Sequence, residues 1–294
     1  MDLGKVGVYK YTDSPAFEIL LFAYAYDDGP VQIVDLTKEK LPQPLVRDLY
    51  DGRVLKTAFN ASFERVCLNK YLNGLTGPWD CTMIRAWELG IAGNLATVGE
   101  RVGVKEEARK FDGSHLIRLF CKPRKPSKNN PATRWTAETK PEEWACFVAY
   151  CKQDVEAERA IREKLLQLPM LESERQLYQL DQLINDRGIL VDEDFCDAAI
   201  RVSDDLTEAA QMRYKALTGI ENPNSLVALK KWLRDQTGED VSSITKETLP
   251  QLLEQFAAYP AVCEVLQIRS LLGKTSIAKY QKMLETMCGD GRSR

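Results

Sequence analysis

Tyr150 and Asp154 stand four residues apart in AYCKQDV, inside a long run of helix-forming sequence. Four residues are just over one helical turn, so the phenol and the carboxylate project from one face. An acid and a phenol held side by side can bind a metal ion and orient a water for attack on a phosphodiester. A pair this short also arises by chance in a helix with one surface Asp and one packed Tyr, so its meaning depends on partners elsewhere. A search for acids at strand ends finds Glu64 in NASFE, where an apolar run over residues 54–59 reads as a buried strand turning into a helix. Glu64 falls in the first turn of that helix, near the carboxyl edge of the sheet, where sites form in open α/β folds. The plainer reading is a solvent-facing acid favoured by the helix dipole.

These residues need a scaffold, and the hydrophobic pattern supplies one. Residues 17–26, FEILLFAYAY, and 31–35 read as the two strands of a β-hairpin around the turn Asp27, Asp28, Gly29 and Pro30. Helices are expected over residues 41–50, 61–71, 83–89, 95–102 and 114–120. The longest is expected from Thr139 to about residue 166, with Thr139 and Glu142 as a capping box, Pro141 in the first turn, and a buried stripe of Trp144, Val148, Cys151 and Val155. Beyond Pro169 strand signals nearly vanish. Helices are expected from Ser173 to Gly188, over 194–217, over 226–234 behind Ser225, over 246–256 behind Thr245, and over 261–287, with a short extended piece at 189–191. The division is therefore into residues 1–168 and 169–294.

A chain of 294 residues is long enough for two such domains, each with its own core. No apolar stretch has the length of a membrane span and the N-terminus lacks the hydrophobic centre of a secretion signal, so the cytoplasm is the expected compartment. Eight cysteines without a CxxC pair and a single histidine, His115, argue against zinc and for reduced, largely buried thiols. His115 lies in SHLIRLF, an amphipathic helix, and reads as a packed or surface residue. Any catalytic metal would then be held by carboxylates, which suit magnesium or manganese. A net charge of −3 gives no global signature for nucleic acid, but residues 121–137 carry Lys122, Arg124, Lys125, Lys128 and Arg134 with no acid. This is either a solvated, proline-stiffened loop or a strap over a phosphate backbone, with Trp135 able to stack on a base.

Asn60, Phe63 and Glu64 followed by Tyr150 and Asp154 resemble the second and third motifs of the tyrosine-type DEDD 3′–5′ exonucleases. GVYKYTDSPAFEILLFAYA, CTMIRAWELGI and YCKQDVEAERAI are similar to the proofreading domain of phage-type family A DNA polymerases. LINDRGILVD, NPNSLVALKKWL and IRSLLGKTSIAKY are similar to the segment joining that domain to the polymerase thumb. The resemblance implies a ribonuclease-H-like α/β domain, a mixed sheet flanked by helices, followed by an all-α segment. It implies two Mg²⁺ or Mn²⁺ ions, roughly 4 Å apart, that stabilise the entering and leaving oxygens of an in-line displacement. By the same resemblance Asp154 binds a metal directly, Glu64 holds the second ion through water, Tyr150 orients the attacking water, and Asn60 positions the strand end or the substrate. Relatives usually carry Asp where Glu64 stands, one methylene shorter.

The sequence departs from the family at both ends. The Asp-x-Glu first motif, which supplies two of four metal-binding acids on the sheet's central strand, is not found, and the palm and fingers would begin near Gly291 and Arg292. The expected function is the proofreading exonuclease portion of a phage-type polymerase, acting on single-stranded or frayed DNA 3′ ends beside the palm and fingers, impaired in the chain as written, with no membrane partner. The alternative is a non-catalytic DNA-binding or scaffolding domain of a split polymerase.

Overall fold

The computed structural model describes residues 2–75, 77–106, 113–127, 132–168 and 170–294. Among these the fold is mixed α/β, with many helices and three two-stranded sheets. The chain divides into two compact units, Met1–Arg187 and Gly188–Arg294.

The first unit opens with α1 (Leu3–Thr12), capped by Asp2 and kinked at Gly7, whose φ of 77° suits a residue without a side chain. The hairpin forms as expected: β1 (Leu21–Tyr24) pairs antiparallel with β2 (Gln32–Asp35), Leu21 opposite Asp35 and Tyr24 opposite Gln32. After α2 (Gln43–Tyr50), β3 (Lys56–Ala58) runs parallel to β4 (Trp79–Cys81). β4 has no counterpart in the sequence reading, because three residues behind Gly77 and Pro78 carry no strand periodicity of their own. Instead of one sheet, the hairpin and the β3–β4 pair are separate two-stranded sheets. Between them in sequence lies α3 (Ala61–Leu72); α4 (Thr82–Glu88), α5 (Leu95–Arg101) and α6 (Ser114–Cys121) follow.

The long helix α7 (Pro141–Leu165) spans the unit. Its buried side chains are Trp144, Phe147, Tyr150, Ala157, Glu158, Ile161 and Leu165, a stripe rotated from the expected one so that Val148, Cys151 and Val155 are only half-buried. The capping box does not form: Lys140 is the N-cap residue, and the Thr139 hydroxyl accepts a bond from the Thr136 N–H (2.8 Å). Phe120 meets Trp144 edge-on and Phe147 face-on, at centroid separations of 4.9 and 5.4 Å, and Trp144 donates from Nε1 to Asp35 (3.1 Å), so one aromatic cluster joins α6, α7 and the hairpin.

Pro169, the expected boundary, lies outside the described residues, and the division falls later. The reason is α8 (Glu172–Arg187), which is tied to the first unit by a polar network. Arg65 grips Asp186 with two bonds of 2.7 and 2.8 Å, the Tyr9 hydroxyl donates to Asp186 (2.7 Å), and Ser62 donates to Gln182 (2.7 Å). A bidentate, part-buried guanidinium–carboxylate pair fixes orientation as well as position.

The second unit is helical apart from β5 (Ile189–Leu190), paired antiparallel with β6 (Arg292–Ser293). It contains α9 (Glu193–Thr218), α10 (Leu226–Thr237), α11 (Leu249–Gln255), α12 (Pro260–Leu272) and α13 (Ala278–Thr286). Ser225 caps α10 as expected, accepting from the Ala228 N–H (3.3 Å). The single last helix expected over 261–287 is two, broken after Gly273. Tyr214, Leu229, Leu233, Phe256, Val262, Val265 and Leu266, all essentially solvent-free, form the core.

Candidate active site

One cavity of about 1420 Å³ lies within the first unit, and Asn60, Phe63, Glu64 and Asp154 all line it. Their placement follows from local backbone chemistry. Asn60 ends the strand segment at φ 65°, ψ 49°, a left-handed conformation that Asn tolerates better than most residues, and this turns the chain from β3 into α3. Glu64 then sits in the first turn of α3, as expected, half-buried, with its Oε2 shielded from solvent and without a hydrogen-bond partner among the described residues. Burial pushes the Glu64 carboxyl up to about 8, and the charges of Glu158 and Asp154 push the same way against its own backbone N–H.

Glu158, which the sequence reading passed over, is the further acid of the site. It follows Asp154 by four residues on α7, so the i, i+4 spacing that tied Tyr150 to Asp154 carries the signal one turn further. It is 9% exposed, lines the cavity, and accepts a bond from Thr82 Oγ1 (2.5 Å), which joins the start of α4 to α7. Its carboxyl is raised by burial against the opposing effects of Thr82 and Arg162. Beside it Asp80 receives Arg85 Nε (2.8 Å) and Arg162 (3.3 Å), a largely buried ion cluster at the end of β4.

Tyr150 sits one turn before Asp154 on α7. It is 5% exposed and does not line the cavity; its ring lies parallel to Phe147 (10° between planes, centroids 6.5 Å apart) and against Gly113, where an added Cβ would meet the ring at 2.3 Å. The helix does bring Tyr150 and Asp154 to neighbouring turns, but aromatic packing takes the phenol into the core.

The basic segment is partly engaged within the protein. Arg124 lies over the Trp135 ring, 4.8 Å from its centroid, and donates to the Ala132 carbonyl (2.6 Å); Lys140 approaches the same ring at 5.8 Å. Trp135 is half-buried between these cations and is not a free stacking platform, because a desolvated cation over an indole face is itself a stable arrangement. Arg134 is ion-paired with Glu18 and also lines the cavity. Lys122 and Lys125 are exposed, as is His115, and Lys128 lies outside the described residues. All eight cysteines are free thiols, four of them buried, two half-buried and two exposed.

Glu64 and Asp154 are the residues expected to hold divalent ions, and Glu158 lies beside them. Glu64, Asp154 and Glu158 line one cavity, yet among the described residues no group of three or more His, Cys, Asp and Glu side chains is placed to hold a metal ion.

A mixed α/β unit with an acid-lined cavity, joined to a helical unit, defines the class of this chain. No protein-family model matches it. It is similar over its whole length to a DNA polymerase of Bacillus phage SP02, 43% identical over 298 aligned positions, and spans 46% of that protein. The chain is thus a relative of part of a phage DNA polymerase. No helix among the described residues is long and apolar enough to cross a membrane.

Proposed function

We propose that the first unit is the proofreading 3′–5′ exonuclease portion of a phage-type DNA polymerase, and that the second is its helical connector and thumb base. The observation that carries this reading is the meeting of Asn60, Phe63, Glu64 and Asp154, contributed by two elements distant in sequence, on one cavity of a chain similar throughout to a phage polymerase. The substrate is the 3′ end of single-stranded or frayed DNA. In this reading the exposed Asn60 amide holds the terminal nucleotide, the half-buried Phe63 ring offers it an apolar face, and Arg159 and Arg162, which also line the cavity, balance phosphate charge. Among the described residues no group of acids is placed to hold a metal ion, so this reading expects binding of such ends with little hydrolysis.

The test is release of nucleotides from a 3′-labelled oligonucleotide with Mn²⁺, comparing the chain with Asp154→Ala. Equal, background release from both is expected, with binding of the single strand retained. Robust release that Asp154→Ala abolishes overturns the statement about activity and supports an assembled metal site.

The exposure of Lys122 and Lys125 favours a second reading, a non-catalytic DNA-binding or scaffolding domain of a split polymerase. In that case Lys122→Ala with Lys125→Ala removes metal-independent DNA binding and lowers its salt dependence, whereas Asn60→Ala leaves both unchanged.

A further inference from the structure

Arg134 stands in ATRWTA and Glu18 in PAFEILL, far apart in sequence, and the fold pairs them as ions. Both side chains line the cavity that holds Glu64 and Asp154. Glu18 lies just ahead of β1, and the bond from the Leu36 N–H to the Leu20 carbonyl (2.9 Å) carries the hairpin ladder almost to it. Arg134 is presented by a small scaffold of its own neighbours. The Arg124 N–H donates to the Thr133 carbonyl (2.8 Å), and the Arg124 guanidinium donates to the Ala132 carbonyl (2.6 Å) while covering the Trp135 ring. Trp135 packs in turn against the aromatic cluster of α6 and α7. The residues on both sides of Arg134 are thus fixed, and its guanidinium is held at the cavity.

Lys56, Arg159 and Arg162 also line the cavity, but their partners are of another kind. Main-chain carbonyls fix two of them: Lys56, which is buried, donates to Val54 (3.1 Å), and Arg159 donates to Gly29 (2.6 Å). Arg162 is held by Asp80, whose side chain is only 13% exposed (3.3 Å). Breaking such contacts leaves a shielded polar group unpaired, which is unfavourable. Glu18 has no such hold on Arg134. The two side chains are 51% and 37% exposed. A pair so open to water is weak, because solvent screens the attraction and two flexible side chains must be ordered to make it. A released Glu18 carboxylate is simply hydrated. A phosphodiester carries the same charge and matches the guanidinium fork with two parallel bonds, so it can take the place of the carboxylate.

We propose that Arg134 and Glu18 form a displaceable latch: Arg134 is a phosphate-binding side chain of the cavity, and Glu18 occupies its guanidinium until a phosphodiester of a single strand replaces the carboxylate. The ligand is anionic because the exchange keeps Arg134 paired and sends Glu18 into water, and a neutral ligand would leave the cation without a counter-charge. Glu18 thereby lowers the affinity for every strand, by the fraction of molecules in which Arg134 is already taken. A strand held by further contacts in the cavity overcomes that fraction, and one held by a passing phosphate contact does not. The nature of the strand rests on the exonuclease reading, while the latch rests on the ion pair, its scaffold and its place on the cavity.

The experiment is fluorescence anisotropy of a labelled single-stranded DNA oligonucleotide with the whole chain, in EDTA so that hydrolysis does not intervene. The parent is compared with Glu18→Gln, Arg134→Gln and the two together, each checked for an unchanged urea transition. Glu18→Gln is expected to tighten binding roughly two- to sixfold, the range that a solvent-exposed ion pair can withhold. Arg134→Gln is expected to weaken binding and to lower the slope of log K against log salt by about 0.7, the loss of one phosphate contact on a single strand. In the Arg134→Gln background Glu18→Gln is expected to have no effect, which separates the latch from a general loss of negative charge. The proposal is overturned if Glu18→Gln leaves the affinity unchanged, if it tightens binding equally with Arg134 replaced, or if Arg134→Gln changes neither affinity nor salt slope. Asn60→Ala in the same assay reports on the exonuclease reading by itself: unchanged affinity there counts against that reading, and the Glu18 and Arg134 cycle still decides the latch.

Discussion

Glu64 is the residue at which the environment most alters ordinary chemistry. Its carboxyl, raised from 4.5 to about 8, holds its proton more tightly in the folded protein than in the unfolded chain. The sign follows from linkage: the stabilisation is complete below the unfolded value near 4.5 and is lost as pH rises through about 8, because deprotonation then opposes folding. Glu158, also raised, contributes in the same direction. Glu64→Gln keeps the shape and removes the titration. Urea denaturation at a series of pH values from 5 to 9 is expected to show stability falling with pH in the parent and a flatter profile in the variant, which becomes the more stable of the two at the alkaline end. Parallel profiles would show that Glu64 is solvated and titrates normally. The position of Glu64 was legible in the sequence from the strand-to-helix turn at Asn60. Its altered proton affinity was not, since it arises from burial and from Glu158 and Asp154 on another element.

At the scale of elements, α7 decides what the acid–phenol pair becomes. Tyr150 is held between Phe147 and Gly113, and at Gly113 the constraint is close approach, not backbone conformation, its φ being −108°. Gly113→Ala drives a methyl into the ring and should cost about 1–3 kcal/mol, the usual range for overpacking a core. The cost should shrink when Tyr150→Ala is present as well, since the two changes share one contact. A double-mutant cycle by chemical denaturation measures this, and strictly additive costs would contradict the contact. The same helix explains why the expected buried stripe was displaced. Trp144 and Phe147 are anchored by Phe120 and Asp35, and those anchors fix the rotation of α7 about its axis more firmly than its aliphatic positions do.

For the whole molecule, the division at Arg187 and Gly188 means that each unit buries its own core. Phe256 is fully buried in the second unit, and Phe256→Ala should remove about 3–5 kcal/mol there. The first unit, including the Arg65–Asp186 pair, should unfold at an unchanged denaturant concentration. Two probes, Trp232 fluorescence for the second unit and Trp144 fluorescence for the first, each isolated by Trp→Phe changes elsewhere, would follow the transitions separately. A single transition shifted at both probes would show one cooperative unit.

Local pattern determined the hairpin, most helix positions, the turn into α3 and the helical character of the second half, because apolar periodicity, caps and turn residues act over a few neighbouring positions. Helical spacing and the strand-to-helix turn marked Tyr150, Asp154 and Glu64 as candidates, the family resemblance added Asn60 and Phe63, and all of these except Tyr150 line one cavity. Tertiary structure decided the rest. It took Tyr150 into the core, added Glu158, set Arg124 on Trp135, attached α8 to the first unit and kept the hairpin and the β3–β4 pair as separate two-stranded sheets. Each of these depends on which distant surfaces meet, and the free energy of burial, charge pairing and ladder formation belongs to such meetings rather than to any single stretch of chain.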